Sequence, residues 1–215
     1  MFVATTISFI DFPGQVCQVL YTNGCNFSCP FCHNPELKHK QNTSVEVYKD
    51  IPSVCITGGE PTIHGSKLVE ECRRIKALGK LIKVDTNGTN LECITDLIEG
   101  SVVDYIAMDV KNLWSEYPET TRSMDPSVVK MTFDYLCSVN TITVEFRTTL
   151  VKPFLTVERV KTIADMIPLD KTYSVQNFRP LKVLDPSVPM DNFTSDELDE
   201  IRDYLKLKNH KYNIR

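Results

Sequence analysis

Residues 15–34, QVCQVLYTNGCNFSCPFCHN, decide how the rest of the chain is read. The first part, Gln15–Thr22, is rich in β-branched and apolar residues and has the character of a buried strand. The second part, Asn23–Asn34, is a polar loop that carries Cys25, Cys29 and Cys32. A strand running into a loop of metal-ligating side chains is the first half of an α/β unit, with its chemistry at the carboxyl end of the strand.

The same pattern recurs downstream. Ser53–Thr57, Leu81–Thr86, Val103–Val110, Thr141–Val151 and Thr172–Phe178 read as further strands. Lys67–Leu78, Leu91–Glu99, Pro126–Val139, Val157–Ile167 and Ser195–Lys206 have helical spacing, with Gly79 and Gly100 as stop signals. Strands alternating with helices imply a parallel sheet with right-handed crossovers. Periodicity leaves two forms open, an incomplete barrel or an open doubly wound sheet. The expected organisation is one domain over 1–215, with its core over about 14–180 and a linker and helix over 185–215. The prolines of Asp185–Thr194 mark that linker.

Composition sets the outer bounds. The chain has 215 residues, 42% of them hydrophobic, enough to bury a full core. A formal net charge of -4 gives no basic excess for a nucleic-acid surface. Lys206, Lys208, Lys211 and Arg215 read as a solvated end. No apolar run approaches the roughly 20 residues that cross a bilayer. The first residues lack the charged and apolar regions of a secretory signal, so the cytoplasm is the expected compartment. Of eight cysteines, three crowd into the loop, and the scattered Cys17, Cys55, Cys72, Cys93 and Cys137 read as small buried residues.

The polar motifs fall at strand ends. After Asn23–Asn34 come Gly58-Gly59-Glu60-Pro61, Asp85-Thr86-Asn87-Gly88, Asp109 with Lys111, Lys152, and Gln176-Asn177-Phe178-Arg179. In parallel α/β folds that edge is where ligands bind. Three thiolates in one short loop grip three irons of a cubane and leave the fourth open to a substrate. Structural zinc with His33 as fourth ligand is the competing reading, but zinc sites draw on separated ligand pairs, and no second such pair occurs here.

On these residues, TNGCNFSCPFCHN resembles the cluster loop of the radical S-adenosylmethionine superfamily. The resemblance implies an incomplete (β/α)6 TIM-like barrel with parallel strands, a 4Fe–4S cluster on Cys25, Cys29 and Cys32, and S-adenosyl-L-methionine as cofactor. It also implies cofactor contacts from Phe31, beside the adenine, from Asn34, and from Gly58, Gly59 and Glu60, beside the methionine amine. Ser8–Gly14, the Cys32-His33-Asn34 sequence, VDTNG and AMDVK are similar to the glycyl-radical-enzyme activases. Carried over, that similarity implies a monovalent cation held by Asp85, Thr86, the carbonyl of Ala107, and Asp109. Tyr21–Leu37 and Gln176–Pro180 resemble the activating proteins of anaerobic ribonucleotide reductase. The segment between Leu37 and Ser53 is shorter than in those proteins, and Asn112–Asp125 matches only loosely.

The implied activity is reductive cleavage of S-adenosylmethionine to a 5′-deoxyadenosyl radical, which takes a hydrogen from a glycine of a partner enzyme. The implied partners are that glycyl-radical enzyme and an electron donor such as flavodoxin or ferredoxin, with no nucleic acid and no membrane. Other readings are a radical enzyme acting on a small molecule, as carboxy-deazaguanine synthases do, one acting on a peptide, and a non-catalytic iron–sulfur carrier. The carrier leaves GGEP and DTNG unexplained. Arg147 shares a strand face with Glu145 and Thr149 and reads either as a ligand of the cofactor carboxylate or as a buried ion pair. Lys111 reads either as a cofactor contact or as solvent-exposed. Trp114 touches a partner or folds back on the core, and His39 and His64 read as surface residues.

Overall fold

The computed structural model describes residues 1–123, 125–179 and 182–214. Its frame is one open sheet of eight strands in chain order: β1 (Phe2–Ser8), β2 (Cys17–Thr22), β3 (Ser53–Gly58), β4 (Leu81–Thr86), β5 (Tyr105–Asp109), β6 (Thr143–Leu150), β7 (Thr172–Asn177) and β8 (Lys211–Ile214). β1 runs antiparallel to β2, and from β2 to β8 every pairing is parallel. The helices are α1 (Ser66–Lys76), α2 (Leu91–Glu99), the short α3 (Tyr117–Thr121), α4 (Ser127–Ser138), α5 (Val157–Met166) and α6 (Ser195–Leu207).

Helices α2, α5 and α6 are each capped by a side chain at their start. Asn90 caps α2 by accepting from the Cys93 amide, and Thr156 caps α5 by accepting from the Arg159 amide. Thr194 and Glu197 form a reciprocal capping box on α6. α1 buries Leu68, Val69, Cys72 and Ile75, a single stripe at helical spacing. Such stripes cover Leu20, Ile56, Val84, Ile106, Phe146 and Val175 on one face of the sheet, in one continuous core. Each fully buried aliphatic side chain there contributes roughly 1.5–3 kcal/mol.

Side chains alternate along a strand, so the neighbours of these core residues point into the barrel interior. There the sequence places Cys55, Lys83, Asp85, Tyr105, Asp109, Glu145 and Arg147. A smaller apolar cluster of Phe12, Cys17, Val19, Cys55, Tyr105 and Ala107 closes the interior beneath the charged residues.

The parallel α/β barrel and its strand positions agree with expectation, and the sheet extends past both ends of the expected 14–180 core. β1 adds an antiparallel edge that the reading did not include. β8 adds the opposite edge, where Lys211 belongs to a strand rather than a free tail. β8 escapes a pattern search because its four residues alternate only between exposed and half-buried. Residues 23–52 join β2 to β3 through a single 3-10 turn, Pro35–Lys38, rather than a helix. The expected linker is also packed. Lys152 and Asp191 exchange backbone hydrogen bonds of 3.0 and 3.2 Å, and Phe193 is buried. Pro180 and Arg215 lie outside the described residues.

Candidate active site

The cysteine loop is held from several directions. The Gly59 amide donates to the Thr22 carbonyl at 3.0 Å, and the Glu60 amide donates to the Gly24 carbonyl at 2.7 Å. This contact explains the glycine pair: a Cβ on Gly59 would lie 1.8 Å from the Gly24 oxygen, and Gly58 has a φ of +116° that favours glycine. The Gly24 amide donates to Leu37, that of Ser28 to Thr121, and that of Asp185 to Pro30. Lys38 Nζ donates to the Phe27 carbonyl and to Ser28 Oγ, both at 2.8 Å. Arg122 pairs with Asp185 across the outside of the loop.

Cys25, Cys29 and Cys32 all line one cavity of about 230 Å³ at the carboxyl edge of the strands. Phe31, Asn34, Gly58, Gly59 and Glu60 line it too, as do Asp85, Thr86, Asp109, Lys111 and Arg147. Of the residues expected at the site, Ala107 stands apart, fully buried on β5 between Asp85 and Glu145 of the neighbouring strands. The wall also includes Phe27, His33, Thr57, Asn87, Thr149 and Gln176.

Glu60 is completely enclosed, and its carboxylate is well supplied with donors. Oε1 accepts from the Thr62 amide at 3.0 Å, from Thr62 Oγ1 at 2.6 Å and from Thr86 Oγ1 at 2.8 Å; Oε2 accepts from the Asn87 amide at 2.6 Å. Burial pushes its pKa up, against the pull of these hydrogen bonds. Glu60 therefore ties the end of β3 to the turn after β4. That turn in turn reaches the cysteine loop, where Asn87 Nδ2 donates to Asn26 Oδ1 at 2.9 Å. Sequence reading missed Asn26, whose only signal is its place between two ligand cysteines.

The opposite wall is a charge network. Arg147 donates to Asp109 Oδ1 at 2.9 Å and to Asp85 Oδ2 at 3.0 Å. Lys111 Nζ donates to Asp109 Oδ2 at 2.7 Å, and Lys83 Nζ donates to Asp85 Oδ1. Of the two alternatives stated for Arg147, the structure shows the largely buried ion pair, and it also places the side chain in the wall of the cavity. Lys111 points into the cavity rather than into solvent. Lys83 was missed, although its i, i+2 spacing from Asp85 puts both on one strand face.

Burial raises the pKa of Asp109, but Arg147 and then Lys111 more than reverse it and hold it at about 2. Asp85 is likewise lowered: burial opposes ionisation, and Arg147 and Lys83 overcome it. Burial pushes the Cys29 thiol up to about 12, with Lys111 pulling the other way. Burial also raises Cys25.

Phe31 packs on Phe154 with ring centroids 5.6 Å apart, and His33 lies at the same distance from Phe178. Trp114 folds back on the core against Tyr117 and Phe133. His39 is exposed, while His64 is half-buried and its Nε2 lies 3.0 Å from the Asn23 carbonyl. Cys17, Cys55, Cys72 and Cys93 are buried, and Cys137 is half-buried.

The residues fit a cubane cluster with an amino-acid-bearing cofactor. Three free thiols share one wall, the facing wall offers Lys111 and Arg147 to negative charge, and the glycine pair brings bare backbone to the cavity. The set assigned to a monovalent cation does not fit a free ion. Both oxygens of Asp85 and both of Asp109 already face side-chain cations, and the Thr86 hydroxyl donates to Glu60 while accepting from the Gly88 amide at 3.1 Å.

An open parallel half-barrel with a cysteine loop and a charged cavity at its carboxyl edge defines an iron–sulfur enzyme of the TIM-like class. A family model described as the Radical SAM superfamily matches residues 19–167, and the chain belongs to that superfamily. It uses a 4Fe–4S cluster and S-adenosylmethionine. A Methanocaldococcus jannaschii protein, assigned by name to the glycyl-radical enzyme activating enzymes, is 35% identical over 191 residues, covering 83% of this chain and 80% of that one. The pyruvate formate-lyase-activating enzyme of Listeria monocytogenes is 28% identical over 145 residues, covering 57% and 58%. A radical SAM methyltransferase from Sphaerobacter thermophilus shares the fold with a TM-score of 0.74 at 13% identity, covering 98% of this chain and 68% of that one. Among the described residues no helix is long and apolar enough to cross a membrane.

Proposed function

We propose that this chain is a glycyl-radical-enzyme activase, and that its partner is an anaerobic ribonucleotide reductase. The observation that carries this reading is the likeness to the Methanocaldococcus jannaschii protein assigned by name to the glycyl-radical enzyme activating enzymes, which runs through most of both chains.

The roles of the residues follow from their positions. Cys25, Cys29 and Cys32 would hold the cluster, and the backbone hydrogen bonds from Gly59 and Glu60 fix the loop that carries them at the strand ends. Lys111 and Arg147 receive the carboxylate of S-adenosylmethionine, while Asn34 and the Gly58-Gly59 backbone orient its amine. Phe31 and Phe27 exclude water from one side. When bound, the cluster would supply the electron for reductive cleavage of S-adenosylmethionine, the chemistry that activates a glycine Cα–H of the partner. The reaction belongs in an anaerobic cytoplasm with a low-potential donor such as flavodoxin or ferredoxin.

Anaerobic reconstitution with iron, sulfide, S-adenosylmethionine and a reductant, followed by addition of an anaerobic ribonucleotide reductase, tests the proposal. The expected result is a glycyl-radical signal by electron paramagnetic resonance. Cofactor cleavage with no radical on the reductase refutes the partner. Cleavage coupled to consumption of a small molecule, with no radical on a partner, refutes the activase reading. The Cys29→Ala variant is expected to cleave no cofactor.

A further inference from the structure

On the inward faces of β4 to β6 and the turn after β5, cations and carboxylates are equal in number, while Glu60 on the facing wall is satisfied by neutral hydrogen-bond donors instead of a cation. Asp85, Asp109 and Glu145 face inward from β4, β5 and β6, and against them stand Lys83, Lys111 and Arg147. By formal charge the three acids balance the three bases. The remaining groups around Lys83 are neutral: Cys55 Sγ lies 3.9 Å from its Nζ, and the Tyr105 ring centroid lies 5.6 Å away. Glu145 is further engaged by donation from Tyr105 Oη at 3.0 Å and from Ser174 Oγ.

Lys83 is the member that makes this balance. Its side chain is 2% exposed, and among the described residues Asp85 is the carboxylate that its ammonium pairs with. Arg147 and Lys111 border the cavity and are open to the cofactor; Lys83 is not among the cavity-lining residues and does no other work there. Without it, the Asp85 oxygen opposite Arg147 would have no cation, and this network would carry one more negative charge with no donor to offset it. A buried charge that loses its partner is costly unless a counter-charge replaces it.

We infer that Lys83 is a tethered counter-ion: its ammonium occupies the position that a free monovalent cation would otherwise take beside Asp85, and the cofactor site of this chain works without any bound alkali ion. Lys83 is a positioning residue. It holds Asp85, which holds Arg147, whose guanidinium borders the cavity. An ammonium head and a potassium ion are similar in size and charge, so the slot vacated by removing the side chain suits either ion and excludes a bulky one such as tetramethylammonium.

The test uses the full chain with its cluster reconstituted anaerobically, in potassium, ammonium or tetramethylammonium chloride at equal ionic strength. Two quantities are read, the thermal unfolding midpoint and the dissociation constant for S-adenosylmethionine. General salt effects cancel when each variant is compared with the parent chain in the same salt. The parent chain is expected to show no preference for potassium or ammonium. Lys83→Met is expected to be weakened in tetramethylammonium and to recover selectively in the two small ions. A cation about tenfold above its dissociation constant raises the midpoint by roughly 3–6 °C. Lys83→Arg, which keeps the charge, is expected to be indifferent to the salt.

A specific potassium or ammonium response in the parent chain overturns the inference. So does a Lys83→Met variant that no salt rescues, since Lys83 is then an ordinary ion-pair partner. If Lys83→Met does not accumulate folded, Lys83→Gln takes the same test, and failure of both to fold in any of the salts counts against the inference as well. No partner enzyme enters these measurements, so their outcome is separate from that of the activase assignment.

Discussion

Replacing Gly59 by alanine adds one methyl group where the backbone leaves no room. The new Cβ would lie 1.8 Å from the Gly24 oxygen and 2.8 Å from its carbonyl carbon. Ordinary contact begins near 3.4 Å, so the root of the cysteine loop must retreat by more than an ångström. That movement breaks the 2.7 Å hydrogen bond from the Glu60 amide to the same oxygen. Overpacking of this kind costs about 1–3 kcal/mol, and the lost hydrogen bond costs about 1 kcal/mol more. For a chain of this length the sum corresponds to a fall in unfolding midpoint of roughly 5–15 °C. The displaced loop is also expected to hold less iron. Anaerobic reconstitution followed by iron and sulfide analysis, with thermal unfolding followed by circular dichroism, measures both effects. Gly79→Ala is the control. Gly79 has a φ of +74° and no atom within 4 Å of a built Cβ, so its substitution costs only the left-handed backbone strain of about 1–2 kcal/mol. It is expected to leave the iron content unchanged. A Gly59→Ala chain with parental midpoint and full iron content would refute the clamp.

Arg147→Met leaves Asp85 and Asp109 without the guanidinium that joins them, and is expected to cost about 3–5 kcal/mol in denaturant unfolding. Its affinity for S-adenosylmethionine, read by titration calorimetry, is expected to fall as well. Glu60→Gln is expected to destabilise by about 1–3 kcal/mol, because an amide cannot accept every hydrogen bond the carboxylate now accepts; unchanged stability would mean the β3–β4 tether is not maintained by the carboxylate. The depressed pKa values of Asp85 and Asp109 carry a definite sign. Their contribution is complete above the ordinary carboxylate value of about 4 and is lost as pH falls toward about 2, the value at which Asp109 titrates. Acid titration of the folded chain is expected to show that loss, and Asp109→Asn is expected to flatten it.

The cysteine loop and the glycine pair were legible in the sequence because they depart from ordinary composition at fixed places along a regular pattern. Cys25, Cys29 and Cys32 have no role in an ordinary strand–helix connection, and Gly58-Gly59 ends a strand where a turn alone would not require both. The outer strands were not legible. β1 and β8 each pair on one side only, so neither needs the continuous apolar run that identifies a central parallel strand. Lys83 was hidden by the opposite effect. A lysine within LIKVDT suggests a solvent-facing position, yet that face of the strand turns into the barrel, where Asp85 keeps the ammonium charged. Asn87 was visible only as a turn residue, Thr86 as a strand end and an implied cation ligand, and Asn26 not at all. Their role as a bridge from the cysteine loop to β4 depends on hydrogen bonds between segments some sixty residues apart, which no local pattern records.

The hydrogen bonds that brace the cysteine loop from Thr121 and Asp185 set an order of events during synthesis. The inner side of the loop is braced by residues that follow it closely, Leu37, Lys38, Gly59 and Glu60. Its outer side waits for Thr121 and then for Asp185, so the two faces of the loop close at different times as the chain is made.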